Sequence, residues 1–303
     1  MGPLRQVLLY LALVVAGSAV FDTAIVRAGG MANPGAGALV TGVMWTPAAA
    51  AAVTLLAARR SLAELGWRPR RWAPLAVGWL APILYGGLPF LIAGLIGAGR
   101  FTSAAWTHTA LANGLPASPL AGLAFMVVVG TAISLISATG EEIGWRGFLV
   151  PALGERLGFW GVSFVSAAIW ALYHLPLILF AGYAGQGVPL AYSLVCFGAM
   201  VAAISPLVTA LRLRSGSFWP TALMHATHNL FIQSIFAGAL KPTAATPWLV
   251  GEFGALTAPV CAAVAGLYLW RTGAPRTAAD EARGAAADAP TGLSRKQPWS
   301  AHA

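Results

Sequence analysis

Residues 131–153 read TAISLISATGEEIGWRGFLVPAL. A largely apolar run meets two adjacent carboxylates, Glu141 and Glu142, then a guanidinium, Arg146, and turns apolar again. In a charge-rich chain this would be an ordinary helix with a charged end. This chain of 303 residues is 58% hydrophobic and 9% charged, and its mean hydropathy is +0.74. A soluble domain carries about 25% charged residues, so this composition cannot cover a water-facing surface. A soluble enzyme, a disordered chain and a nucleic-acid-binding protein are excluded. The remaining fold class is all-α, a polytopic membrane protein, and the acids of 131–153 are an ionisable cluster in hydrocarbon-like surroundings.

A bilayer-crossing helix needs about 20 mostly apolar residues. Eight transmembrane helices are predicted, at 6–28, 36–58, 73–98, 118–140, 159–182, 189–211, 218–240 and 247–270. The first has Arg5 ahead of its apolar run but no convincing cleavage site, so it reads as a retained helix and not a signal peptide. Residues 1–270 form the expected membrane domain. Residues 271–303 are polar and rich in Ala, Gly and Pro, and read as a disordered cytoplasmic tail. The stretch 59–72, RRSLAELGWRPRRW, reads as an interfacial helix followed by a turn, with Arg at the headgroups and Leu and Trp at the acyl boundary.

The net charge of +9 serves topology. Fifteen of the 18 Lys and Arg fall at one set of ends, including loop 4–5 with Arg146 and loop 6–7 with Arg212; only Arg27, Arg100 and Lys241 fall at the other. This asymmetry predicts both termini in the cytoplasm. Cys196 and Cys261 lie in apolar runs without a CxxC, and read as small core residues. Arg usage over Lys, with abundant Ala and Gly, predicts a GC-rich genome and a bacterial cell membrane. Nothing in the sequence sets an oligomeric state.

Ionisable groups inside a membrane are costly and therefore point to function. Beyond the acids at 141 and 142, the fifth span carries His174 in SAAIWALYHLPL, and the seventh carries His225, His228 and Asn229 in WPTALMHATHNLFIQ. On a helix, Glu142 and Arg146 are four apart and share a face, as an ion pair requires. Glu141 lies about 140° from Arg146, so it stays free as a general base. His225 and Asn229 share a face and can donate to an oxyanion; His228 is near that face but off it. Pro176 frees a carbonyl beside His174 and bends the span, opening room for water or substrate.

Three motifs recur in order: Glu141-Glu142-Ile143-Gly144-Trp145-Arg146, Trp170-Ala171-Leu172-Tyr173-His174 and His225-Ala226-Thr227-His228-Asn229. They resemble EExxxR, FxxxH and HxxxN of the CPBP family of intramembrane proteases, which includes the CAAX prenyl endopeptidases and the Abi proteins. Trp170 stands where that family usually has Phe. The resemblance covers about 118–240, the expected protease core. It implies a metal-independent glutamic endopeptidase without cofactor. Glu141 would activate a water that His174 helps to hold, His225 and Asn229 would stabilise the oxyanion, and Glu142 and Arg146 would hold the helix. Trp170 and His228 would support the site.

Two other readings compete. Glu and three His are plausible ligands for a zinc-dependent protease, although HExxH is absent. A non-enzymatic immunity or scaffold protein would need none of this chemistry; transport is disfavoured because the polar groups gather at one place. Asp22 and Glu252 read as isolated acids near span ends, snorkelling or bonding a neighbouring helix. Gln233 reads as packing between helices, and His108 and His302 as solvent-exposed. The expected partners are the lipid bilayer and a peptide or membrane-protein substrate, clipped or matured, with prenylated CAAX peptides disfavoured by the bacterial reading.

Overall fold

The computed structural model describes residues 1–69 and 71–288. Arg70, the tail from 289, and with it Arg295, Lys296 and His302, lie outside the described residues. The protein is a polytopic all-α membrane protein. Its helices are α1 (Pro3–Arg27), α2 (Ala36–Ala57), α3 (Trp72–Leu95), α4 (Ala104–Ala112), α5 (Pro119–Gly154), α6 (Phe159–Phe180), α7 (Leu190–Ser215), α8 (Trp219–Leu230), α9 (Thr257–Thr272) and α10 (Ala278–Asp288). Among the described residues six of these, α1, α2, α3, α5, α6 and α7, are long and apolar enough to cross a membrane. Leu80, Leu84, Leu88, Leu91 and Leu95 leave one face of α3 apolar and exposed, which a bilayer covers and water would not. The interior gathers on α7, whose Phe197, Met200, Val201, Ile204, Leu207 and Leu211 are all buried. Cys196 and Cys261 are buried and free, as expected for core residues.

The seventh expected span, Trp219–Leu230 followed by the π-helical Phe231–Phe236, is not among these six long apolar helices, and the structure departs from the expected segments in four other places. The fourth span does not stop at 140: α5 continues to Gly154 through two π-helical stretches, Met126–Gly130 and Ile143–Leu149. Glu141, Glu142 and Arg146 therefore sit inside a helix rather than at a loop. Arg146 and Arg212 are buried, so neither is a loop charge marking the cytoplasmic side. The eighth span is shorter than expected. A one-turn helix Thr246–Leu249 is followed by the loop Val250–Leu256, which Gly251 turns at φ 81, and only then by the 16 residues of α9. The segment 59–72 forms one 3-10 turn, Leu62–Leu65, not a helix. Ser61 and Glu64 cap it reciprocally and Gly66, at φ 87, ends it. His108 is exposed as expected, but on α4.

The tail is the fourth departure. Residues 278–288 are helical, and Asp280 reaches back to the start of α6. Its carboxylate accepts from the Phe159 amide at 3.1 Å and the Thr277 amide at 3.0 Å, and the Thr277 hydroxyl donates to the Leu157 carbonyl at 2.9 Å. First-turn amides of a helix have no partner of their own, and here the tail supplies one. Amide and hydroxyl donors hold the Asp280 carboxyl well below its ordinary value of 3.8. Its stabilisation is therefore complete above that ordinary value and is lost as pH falls below it. Asp280→Ala is expected to remove about 1 kcal/mol near neutral pH and to flatten the acid side of the stability curve, as thermal unfolding between pH 7 and 3 would register.

Gly140 and Gly144 bring α5 onto α2. A methyl group on Gly140 would lie 2.7 Å from the Met44 carbonyl oxygen, and one on Gly144 would lie 2.4 Å from Pro47 Cβ. Small residues four apart let membrane helices approach closely. This approach fixes the turn of α5 that carries both acids.

Candidate active site

Glu141 and Glu142 end the α-helical stretch of α5, just before the π-helical Ile143–Leu149, and meet different partners. Glu141 is buried, and its Oε2 accepts two indole N–H groups, Trp145 at 3.0 Å and Trp170 at 2.7 Å. Among the described residues no protein donor reaches its Oε1. Glu142 is buried beside it, and its Oε1 accepts from Arg146 at 2.6 Å and lies 3.1 Å from His225 Nδ1. The ion pair that the four-residue spacing demands is present, and Glu141 stands outside it.

A cavity of about 110 Å³ is lined by Glu141, Trp170, His174, His225 and Asn229. Three helices, α5, α6 and α8, thus deliver their polar side chains to one space. His174 Nδ1 lies 2.9 Å from the Trp170 carbonyl oxygen. A carbonyl only accepts, so Nδ1 carries the proton and Nε2 of the neutral ring is an acceptor. His225 is set differently, because its Nδ1 faces the Glu142 carboxylate. Its Nε2 donates into the cavity only when the ring holds both protons. Asn229, on the same helix, makes no side-chain hydrogen bond among the described residues, leaving its amide available.

Trp170 meets Glu141, Arg146, His174 and His225. Its N–H binds Glu141, the Arg146 guanidinium lies 5.3 Å from its ring centroid, and its ring meets His174 and His225 edge-to-face at 5.0 and 5.6 Å. Phe at this position keeps the ring contacts and loses the N–H. Trp170→Phe is therefore expected to leave folding intact and to lower turnover about tenfold, the worth of one hydrogen bond to a charged group. Cleavage rates and thermal unfolding of the same preparation measure the two effects separately.

His228 is not in this cavity. Its Nδ1 lies 2.9 Å from the Tyr85 hydroxyl and its Nε2 2.9 Å from Glu252. Glu252 was read as an isolated acid and proves otherwise. It lines the same cavity and accepts from Tyr183 at 2.5 Å and Gln233 at 3.0 Å. Gln233 lies one turn beyond Asn229 and two beyond His225, a spacing that places it on the same face. Glu252 had no such signal, because its loop lies in a segment whose composition reads as helix. Among the described residues no group of three His, Cys, Asp or Glu side chains is arranged to hold a metal ion.

Residues 121–231 match the family model described as type II CAAX prenyl endopeptidase Rce1-like. The match bears out the resemblance drawn from the three motifs and contains all of them. A second comparison finds CAAX prenyl protease 2 of Methanococcus maripaludis, 41% identical over 44 residues. That alignment covers 14% of this chain and 16% of the relative. Gln233 and Glu252 lie beyond the residues that match the family.

Proposed function

We propose that this chain is an intramembrane endopeptidase that hydrolyses peptide bonds with a water activated by Glu141. The observation that carries this reading is the carboxylate itself: buried, fixed through one oxygen by two indoles, and lining the cavity shared with His174, His225 and Asn229. His174 orients the water through its Nε2 lone pair. As the water oxygen attacks the peptide carbonyl, its proton passes to Glu141. The Asn229 amide and the doubly protonated His225 ring donate to the oxyanion, and preorganised donors of this kind act strongly away from bulk water. When the C–N bond breaks, Glu141 returns the proton to the leaving amine. Glu142 and Arg146 hold His225 and the helix; Trp170 holds Glu141.

The substrate is a peptide or a membrane-protein segment reached from the bilayer, and the Arg-, Ala- and Gly-rich residue usage favours a bacterial cell membrane. The test is the full chain reconstituted in liposomes with a peptide library that includes prenylated and unmodified C-terminal sequences. Cleavage is expected, and Asn229→Ala is expected to slow it about 10²- to 10³-fold, as loss of one oxyanion donor does. A folded wild-type protein that cleaves no member of the library would favour the immunity or scaffold reading.

A further inference from the structure

A second cavity, of about 710 Å³, lies between α1 and α6. Val14, Val15, Ala19, Leu172 and Phe180 line it with hydrocarbon, while Asp22 and Arg27 stand at one end. Along α1 it extends from Leu11 to Arg27, about 24 Å at 1.5 Å per residue. The distance from Leu11 to Asp22, about 16 Å by the same rise, is the depth of one leaflet's hydrocarbon, about 15 Å. From Asp22 to Arg27 is about 7.5 Å, the thickness of the headgroup layer.

Asp22 is 6% exposed, and its Oδ1 is buried with no hydrogen-bond partner among the described residues. A buried carboxylate without a donor is costly. Arg27 likewise makes no side-chain hydrogen bond among the described residues. The groove thus offers an apolar slot one leaflet deep, an acceptor at its shoulder and a cation at its mouth. Ordinary two-chain glycerolipids present ester oxygens at that shoulder, and these accept but do not donate.

We infer that the groove binds a single-chain glycerophospholipid: the acyl chain lies between α1 and α6, the free glycerol hydroxyl donates to Asp22, and the phosphate meets Arg27. This site does not depend on the proteolytic reading. It adjoins the catalytic cavity, because Trp145 and Tyr173 line the groove while Trp145 holds Glu141 and Tyr173 also lines the cavity.

The test is native mass spectrometry of the full chain titrated with palmitoyl lysophosphatidylcholine, whose headgroup carries no donor other than the glycerol hydroxyl. The analogue lacking that hydroxyl is expected to bind at least about tenfold more weakly, as befits loss of a hydrogen bond to a charged group. The comparison uses the wild-type protein and so survives any folding defect. Asp22→Ala is expected to abolish the preference between the two lipids, and Arg27→Gln to weaken both alike. Equal binding of lipid and analogue, or displacement of the single-chain lipid by dipalmitoyl phosphatidylcholine at equal concentration, would overturn the inference.

Discussion

Glu141→Gln is expected to lower peptide-bond cleavage about 10²- to 10⁴-fold, the usual worth of a positioned general base, while leaving thermal unfolding almost unchanged. The amide has the shape of the acid, and its oxygen can still accept the indole N–H groups of Trp145 and Trp170 that now meet Oε2. What it cannot do is take a proton from water. The substitution thus separates chemistry from architecture, which alanine would not, since alanine would also leave two indoles without an acceptor. Rates should be taken from single-turnover cleavage in liposomes alongside an unfolding curve for the same sample. Undiminished cleavage by a folded Glu141→Gln protein ends the glutamate mechanism. Cleavage that survives the amide, disappears on chelation and returns with zinc would restore the metal reading.

Much of this site was legible because helical spacing and apolar context are both local. Glu142 and Arg146 had to share a face, and His225 and Asn229 likewise. That placed an ion pair and a candidate donor pair before any coordinates, and the ion pair is present at 2.6 Å. What spacing does not encode is a partner on another helix. His225 Nδ1 faces Glu142 across 83 positions of sequence, so the imidazole is committed at one nitrogen. Its use as a donor then depends on its second proton. The aromatic at 170 was legible as a ring and not as a hydrogen-bond donor to a residue 29 positions earlier.

Segment boundaries failed for a related reason: hydropathy reports composition and is blind to backbone. Residues 247–270 are apolar enough to suggest one helix, yet Gly251 at φ 81 breaks the chain there and delivers Glu252 to the cavity. At 140–154 the reverse holds. The span was expected to end at 140 with Arg146 in the loop beyond it, but Glu141, Glu142 and Arg146 all find side-chain partners and the helix runs through them. The tail was misjudged from its composition, because Asp280 and Thr277 obtain their order from the start of α6 rather than from neighbours in sequence.

Arg146→Ala is expected to cost about 3–5 kcal/mol of stability, the price of stripping one member from a buried ion pair. The side chains of Arg146 and Glu142 are 6% and 1% exposed. Glu142 Oε1 accepts from Arg146 and faces His225, while its Oε2 is buried with no hydrogen-bond partner among the described residues. Without the guanidinium, the carboxylate keeps only the imidazole, and Trp170 loses the cation near its face. The Arg146 carbonyl oxygen also receives Arg212 Nε at 2.6 Å. That contact belongs to the backbone and survives the substitution, so the loss should report the side chain alone. If the pair is scaffolding, removing both charges should cost less than removing one: the double variant Glu142→Gln with Arg146→Met should regain most of the stability lost by Arg146→Ala. Its cleavage should still fall, because His225 would then face an amide and have no carboxylate to favour its second proton. Denaturation in mild detergent of the wild type, Glu142→Gln, Arg146→Met and their double variant gives the coupling directly. An Arg146→Ala protein as stable as its parent would mean that the pair bears no structural weight, and that Glu142 finds its counter-charge elsewhere.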